Sequence, residues 1–423
     1  MQITEGKKIQ YALIWLAIGI IIILPARCYN GFYLPFFAVN SNISVQYVNI
    51  VDLAVIVTAL LCILCEHQLN NYKVISHFFA FYFLTRLLFM IAIFFGGYVG
   101  YFGELLSKTT IVGCAAIIAV VASGASDTQK SLTYFSVFLF LSVASFFLVG
   151  YGGYGLMNRT GSVGFGSNET ACFACALLAI VLFVNFTQLC FRIVIVFVSL
   201  ACALNIASRR GMIISIAIFI IWLIYTLMKR KSRFVDKRRF YAVIILFFAI
   251  VLILYFNRQS IVDYINDSAL MTRINFTEKQ NHEVIDLSDR LSVYKEAFQY
   301  INLHPILGSF GCDLIYAQGS LSHAHNLLLQ NLVTNGIFIG IALDIYLVVT
   351  LVRAFILLRR YCKAESTFPT IISIFFIVYM LFDFFGYLLW NPKGLFWIAI
   401  TTFFIQIEYS NQSKGIEDAA DYN

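Results

Sequence analysis

Long apolar runs recur along almost the whole chain, and they limit the folds that are open to it. An α-helix needs about 20 mostly apolar residues to cross a hydrocarbon core roughly 30 Å thick, and many windows of this sequence meet that requirement. The composition agrees, since 61% of the 423 residues are hydrophobic and only 12% are charged, whereas soluble domains carry about 25% charged residues. The sequence therefore predicts an all-α, polytopic bundle of transmembrane helices.

About twelve runs qualify as spans, and the one sizeable polar loop lies between the ninth and the tenth. The predicted spans are Ile9–Leu24, Val45–Cys65, Val74–Val99, Thr109–Ala122, Leu132–Tyr151, Ala171–Phe191, Ile193–Ala207, Met212–Met228, Phe240–Phe256, Asn326–Leu358, Phe368–Leu389 and Leu395–Ile407. The tenth run is too long for one straight crossing, so we expect a bend near Gly336 or Gly340.

This layout divides the chain into residues 1–256 with spans one to nine, an outer loop 257–325 that contains an amphipathic helix, residues 326–410 with spans ten to twelve, and a cytoplasmic tail 411–423. The chain is polar from Glu408 onwards, and we expect this end to be disordered.

Basic residues set the orientation of the chain. With the N-terminus inside, the inner segments hold more Lys and Arg than the outer ones, largely because of the cluster 229–239. Both termini and this cluster are therefore expected in the cytoplasm, and the loop 257–325 outside. The cluster indicates a topology anchor beside anionic lipid and not a nucleic-acid site.

The cysteines indicate packing more than chemistry. Cys62 and Cys65, like Cys172 and Cys175, match the C-x-x-C spacing, but both pairs lie inside predicted spans. Small-residue packing explains such pairs better than metal binding. We infer no disulfide and no metal site from the sequence.

Two histidines stand where the outer loop meets span ten, in the run Ser322-His323-Ala324-His325-Asn326. An imidazole at this boundary has enough access to water to titrate, and it can act as a general base near neutral pH. The alternative is an interfacial histidine that hydrogen-bonds to backbone. Zinc binding lacks a further ligand cluster here.

Outer arginines form the second group of candidates. Arg209 and Arg210 lie in a short link, Ser208–Gly211, where guanidinium groups can bind phosphate oxygens bidentately or snorkel to lipid headgroups. Arg290 flanks the apolar stripe of a helix that Ser288 caps and Pro305 ends. The alternative is that this helix only covers the outer face and has no role in binding. The stripe consists of Leu287, Leu291, Tyr294, Phe298 and Ile301.

Two weaker features remain. The glycine-rich loop Tyr151–Thr170 contains Arg159 and aromatics that can stack on sugar rings, but it matches no nucleotide-binding spacing and could be a flexible outer loop. Arg86 lies inside span three with His77 nearby. A charge within the membrane indicates function, or else it pairs with a neighbouring span.

Together these motifs resemble the bacterial O-antigen polymerase and O-antigen ligase superfamily, over roughly Arg159 to Leu358. The family's Gly after Ser-Arg is Arg210 here, and Ile339 stands where the ligase pattern has a small residue or Tyr. The matching parts are Ser208-Arg209-Arg210-Gly211, Arg290-Leu291-Ser292-Val293-Tyr294, Pro305 with Gly308 and Gly311, and His325-Asn326 followed by Gly336.

The resemblance implies a membrane glycosyltransferase without nucleotide sugar, cofactor or required metal. Its partners would be an undecaprenyl-diphosphate-linked glycan and membrane lipid, with flippase and chain-length regulator proteins as further candidates and no nucleic acid. It would occupy the bacterial cytoplasmic (inner) membrane, with the active site facing the periplasm. His325 would be the catalytic base, and the substrate-binding residues would be Arg209, Arg210, Arg290, Arg159, Asn326 and Tyr294.

Three functions are consistent with the pattern. The first is a polymerase of lipid-linked oligosaccharide repeat units, which the imperfect ligase pattern favours. The second is an O-antigen ligase that transfers the glycan to lipopolysaccharide core. The third is a non-catalytic transporter or flippase, which is disfavoured because charged candidates cluster on one face instead of near the membrane midplane.

Overall fold

The computed structural model describes residues 5–23, 50–65, 72–123, 137, 140–141, 167–184, 193–196, 198–199, 209–229, 288–313, 316, 324, 326–364, 368–384 and 392–420. The chain forms two compact units. The first comprises residues 1–142, 163–165 and 287–423, and the second comprises residues 143–162 and 166–286.

Every regular element in the described ranges is helical, and these ranges contain no strand, which confirms the all-α class. The α-helices are α1 Glu5–Ile23, α2 Ile50–Cys65, α3 Tyr72–Phe95, α4 Phe102–Ser123, α5 Ser167–Phe183, α6 Arg209–Lys229, α7 Ser288–Leu303, α8 Leu327–Ala364, α9 Phe368–Phe384 and α10 Pro392–Ala420, with a 3₁₀ turn Val99–Tyr101 before α4.

Three of the described helical segments are long and apolar enough to cross a membrane, namely Lys73–Phe95, Val99–Ser123 and Leu327–Arg360. Shorter apolar segments on α1, α2, α5, α6 and α9 coincide with further predicted spans. Most or all of the predicted spans five, seven and nine, and most of the loop 257–325, lie outside the described residues. The count of twelve spans therefore stays a prediction.

Helix α4 is the interior helix of the first unit. It packs against α2, α3 and α10, and 67% of its most apolar window is buried, compared with 22% for α3 and 17% for α8. The apolar side chains that α3 and α8 leave uncovered are suited to lipid contact.

Helix α8 is broken at Gly336, as predicted. This residue has φ 76° and ψ 172°, a backbone conformation that favours glycine. The break leaves carbonyls available to the turn that follows α7: Ser309 N donates to Val333 O at 3.0 Å, and Gly311 N donates to Thr334 O at 2.7 Å. The turn is thus attached to α8 through backbone atoms.

Helix α7 begins at Ser288 and ends before Pro305, as predicted. The predicted apolar stripe, however, is wrong in part. Tyr294 and Ile301 pack against the core together with Ala297, whereas Leu291 and Phe298 are 65% and 57% exposed. The small Ala297 side chain allows α8 to approach the face made by residues 294, 297 and 301, so the row of Leu291 and Phe298 points away from it.

The expected disorder from Glu408 onwards is also wrong, because α10 continues to Ala420. The start of this polar stretch contacts the second half of α8. The Arg353 guanidinium lies 4.9 Å from the Tyr409 ring centroid, and Arg360 Nη1 donates to Gln412 Oε1 at 3.5 Å.

In the second unit, α5 packs against α6. Cys175 Sγ donates to Gly211 O at 3.3 Å and lies 3.1 Å from Ser215 Oγ. Cys172 and Cys175 are both buried free thiols, and Cys175 holds the first turn of α6 against α5.

Candidate functional site

The backbone on either side of His325 is fixed by helix α8. The N–H of Ala324 donates to Gln330 Oε1 at 2.8 Å, and Asn326 Oδ1 accepts from Leu329 N at 3.0 Å. The second bond is an N-cap, because it satisfies an amide that the first turn of a helix leaves without a partner. The chain therefore enters α8 through a defined path at residues 324 and 326.

Gln330 is itself held from its other side. It is fully buried, and its Nε2 donates to Asp313 Oδ1 at 2.9 Å. A buried amide whose two ends are both bonded cannot rotate without breaking one of these bonds. The entry to α8 is in this way connected to the turn 304–313.

Asp313 is held in turn by α4. Lys108 Nζ lies 2.8 Å from Asp313 Oδ2 and 2.7 Å from Glu104 Oε1, and Glu104 Oε1 also accepts from Asp313 N at 2.7 Å. Because one cation lies between two carboxylates, the charges are compensated locally, as buried charges require. We call Glu104, Lys108, Asp313 and Gln330 the outer network.

Asn326 has both ends of its side chain engaged in protein contacts. Besides the N-cap, its Nδ2 donates to Phe384 O at 2.9 Å, which ties the start of α8 to the end of α9. The structure thus gives this residue a positioning role, and its contact with substrate stays a prediction. Tyr294 borders the same region, packed against the cluster that includes Ala324 and Leu329.

The arginine pair lies in the second unit, and its local structure differs from the prediction. Arg209 and Arg210 are the first two residues of α6 and not part of a link. The first turn of this helix contains no acidic residue, although the positive end of a helix dipole favours anions over cations. Two arginines at a helix N-terminus are therefore suited to an anionic group.

The remaining predicted residues are described less fully. Arg290 belongs to the first turn of α7, while His325 and Arg159 lie outside the described residues. Asn326 and Tyr294 are both in the first unit around the entry to α8. The substrate-binding roles of these residues stay predictions.

Sequence reasoning missed the outer network. Its members are polar residues at the margins of apolar runs, where Glu104 and Lys108 have the i, i+4 spacing of a helical ion pair and Asp313 follows Gly311 by two residues. These signals were present, but nothing local relates them, because Lys108 and Asp313 are 205 residues apart.

Two ionisable groups near the turn are held in the neutral form. Burial raises the pKa of the Cys312 thiol to about 12, and burial raises the pKa of Tyr300 to about 12. A neutral thiol is a poor nucleophile, so Cys312 is not suited to covalent catalysis. Among the described residues, no group of His, Cys, Asp and Glu is arranged to hold a metal ion.

The apolar helices define a helical integral membrane protein. Residues 194–343 match the family model described as O-antigen ligase, which confirms the resemblance to the O-antigen ligase and polymerase superfamily. The matched segment contains Arg209, Arg210, Arg290 and His325, and it indicates glycan transfer of the ligase or polymerase type, carried out by a membrane enzyme. No curated protein matches the chain.

Proposed function

We propose that this protein is a polymerase of lipid-linked oligosaccharide repeat units. It takes a growing glycan from undecaprenyl diphosphate and transfers it to a sugar hydroxyl of the next lipid-linked unit. The observation that carries the proposal is the family match over residues 194–343, because this segment includes the candidate base and three of the candidate phosphate-binding arginines.

The reaction is a substitution at the anomeric carbon of the donor. The acceptor hydroxyl oxygen forms the new bond to this carbon while the bond from the carbon to the diphosphate oxygen breaks. His325 takes the hydroxyl proton and later releases it to water. The leaving group is already activated, so the protein supplies position, a base and cations.

The arginine pair supplies positive charge for the diphosphate leaving group. Undecaprenyl diphosphate leaves with an additional negative charge, and Arg209 and Arg210 stand at a helix start with no acidic neighbour in the first turn. Guanidinium forks and backbone amides both bind phosphate oxygens. Arg290 in the first turn of α7 is the third cation in the proposal.

The outer network holds a residue next to the proposed base, His325. Ala324 and Asn326, the neighbours of the proposed base, are each hydrogen-bonded, so the chain is restrained at residues 324 and 326. Pre-arranged catalytic groups are more effective because less ordering is required when the substrate binds.

A ligase is the second candidate, and a specific observation favours it, since the matching family model carries the description O-antigen ligase. The departure at Ile339 argues the other way. In the structure this side chain packs against the apolar cluster formed by Phe89, Ile93, Leu105 and Cys312, which is an ordinary core position.

Glycan analysis of a deletion strain separates these functions. If the protein is a polymerase, the strain retains single repeat units on the lipopolysaccharide core and loses the ladder of longer chains. If it is a ligase, core-attached polymer is absent and lipid-linked polymer accumulates. A strain that keeps a normal ladder and normal core attachment would contradict both.

A further inference from the structure

The first unit contains a cavity of about 110 Å³ between α3, α4, α8 and α10. Aromatic rings form one wall, where Phe78 and Tyr346 stack with their centroids 3.8 Å apart. The residues that matter here are Arg86, Asn335 and Thr402, which line the cavity from three different helices.

These three residues share an unusual property. Arg86 Nε, Asn335 Oδ1 and Thr402 Oγ1 are buried atoms that have no hydrogen-bond partner among the described residues. Buried polar groups nearly always have a partner, because each one left without one costs free energy. Their convergence on a single cavity points to a polar occupant that supplies hydrogen bonds.

Arg86 determines the charge of that occupant. Its side chain is only 5% exposed, and no carboxylate among the described residues forms an ion pair with it. Its guanidinium carbon lies 4.5 Å from the Tyr82 centroid and 5.4 Å from the Phe89 centroid. The rings stabilise the cation but leave the Nε donor unused.

The nearby carboxylates are already engaged. Glu104 and Asp313 are both bound to Lys108, so these three residues carry one net negative charge that offsets Arg86 at longer range without bonding to it. The guanidinium also lies directly against Gly311, where a Cβ atom would overlap with Arg86 Nη1. The Arg86 guanidinium therefore contacts the turn 304–313, which also contains Asp313 of the outer network.

We propose that this cavity binds a phosphate group carried by a membrane lipid. A guanidinium fork matches phosphate oxygens, the Thr402 hydroxyl adds a donor, and Asn335 Oδ1 accepts from a bridging water or a P–OH. The lipid source follows from the position of Arg86 inside a helix that is long and apolar enough to cross a membrane. The phosphate belongs to the lipid-linked acceptor, an assignment that depends on the proposed function, or to a phospholipid headgroup.

The test measures binding of a lipid probe to the purified full chain in detergent. The readout is the shift in thermal unfolding, detected by tryptophan fluorescence. Undecaprenyl diphosphate and phosphatidylglycerol are the two probes. The background is the variant Arg209→Ala/Arg210→Ala, in which the proposed donor site is removed, so that binding at the cavity is measured alone.

In this background we expect Arg86→Gln to weaken binding by about 10- to 100-fold, the loss typical of a hydrogen bond to a charged group. Thr402→Asp places a carboxylate of similar volume in the cavity and should weaken binding by a similar factor. Without a probe, this variant should unfold at no lower temperature than the background protein. Arg353→Gln is the control, because it removes an arginine that also stacks on a tyrosine but lies outside the cavity. Thr402→Val removes the hydroxyl without adding charge, and it should weaken binding less than Thr402→Asp.

If only undecaprenyl diphosphate binds in an Arg86-dependent way, the occupant of the cavity is the substrate lipid. If phosphatidylglycerol binds equally well, the occupant is a phospholipid. Binding of both probes that is unchanged in Arg86→Gln and Thr402→Asp overturns the proposal. Failure of the proposed function is separate, because it appears as a deletion strain that keeps a normal ladder and normal core attachment, whatever happens at Arg86.

Discussion

The entry to α8 and the start of α6 each carry proposed functional residues, and the two segments are held in opposite ways. Residue 324 depends on a series of bonds that runs through Gln330 and Asp313 to α4, far away in the sequence, and Asn326 is bonded to the end of α9. Arg209 and Arg210 depend on a local feature, the first turn of one helix. The surroundings of the proposed base are therefore expected to be sensitive to distant substitutions, whereas the arginine pair needs only its helix to form.

The largest expected effect is at the base. His325→Ala should lower the rate of polymer formation by about 10²–10⁴-fold, the usual loss when a general base is removed. His323→Ala should be mild, since the family resemblance places the base in the His325-Asn326 pair. The measurement is the glycan ladder in a complemented deletion strain, with protein level determined by immunoblot. A normal ladder from His325→Ala at normal expression would show that the base is elsewhere, and a defect only in His323→Ala would mean that the motif is assigned to the wrong histidine.

Gly336 offers a test of the backbone attachment. Gly336→Ala should destabilise the protein by roughly 3–5 kcal/mol, because it combines an unfavourable φ with an overlap between Cβ and the Ile306 carbonyl. Gly97→Ala is the matched control, since Gly97 has φ +77° with no atom within 4 Å of its Cβ position, and it should cost about 1–2 kcal/mol. Thermal unfolding in detergent measures both. Equal losses would mean that crowding at Gly336 is relieved by movement of the turn.

The arginine pair comes next. Arg209→Ala and Arg210→Ala should each lower activity by about 10- to 100-fold, and lysine should rescue only partly because it lacks the planar fork. Initial rates with a lipid-linked donor, at matched protein level, give the comparison. If both alanine variants and Arg290→Ala keep full activity, the diphosphate is bound by other groups.

The outer network should have a smaller and more specific effect. Gln330→Met removes the acceptor for Ala324 N and should lower kcat by about tenfold with little change in KM, since it alters the position of the base and not the affinity for donor. Gln406→Met is the control, because Gln406 is also buried and bonded, to Thr350 Oγ1 at 2.5 Å, but it is outside the network. A rise in KM at constant kcat, or the same loss in both variants, would argue against positioning.

The smallest expected effect is that of a chelator. EDTA should leave the rate unchanged, because in the proposed mechanism arginines and not a metal ion stabilise the diphosphate. A metal-dependent glycosyltransferase assayed in the same membranes serves as the control. A rate that falls with EDTA and recovers with one added divalent cation would require a metal site.

Local sequence signals predicted the features that local physics determines. The bend at Gly336 and the limits of α7 follow from a glycine in a long apolar run and from Ser288 and Pro305. The buried face of α7 was predicted less well, because periodicity shows that apolar residues recur but not which of them the neighbouring helix will cover. The polar stretch after Glu408 is helical and contacts α8, and composition alone does not contain these contacts.

The candidate site was predictable only where a motif is contiguous. His325 and the arginines were found because short runs of residues resemble a family pattern. The outer network was not, because its members come from α4, the turn and α8, and only the tertiary structure brings them together. Arg86 was recognised as unusual, but the sequence could not distinguish a paired charge from one with an unused donor.

The attachment of the turn to α8 also affects the order in which the protein is made. The turn leaves the ribosome before α8 does, so the amides of Ser309 and Gly311 have no carbonyl to bind until Val333 and Thr334 have been synthesised. Lys108 and Glu104 are already present at that time and can receive Asp313. We therefore expect assembly in two stages during membrane insertion, in which an ionic contact first retains the turn and the arrival of α8 then completes it.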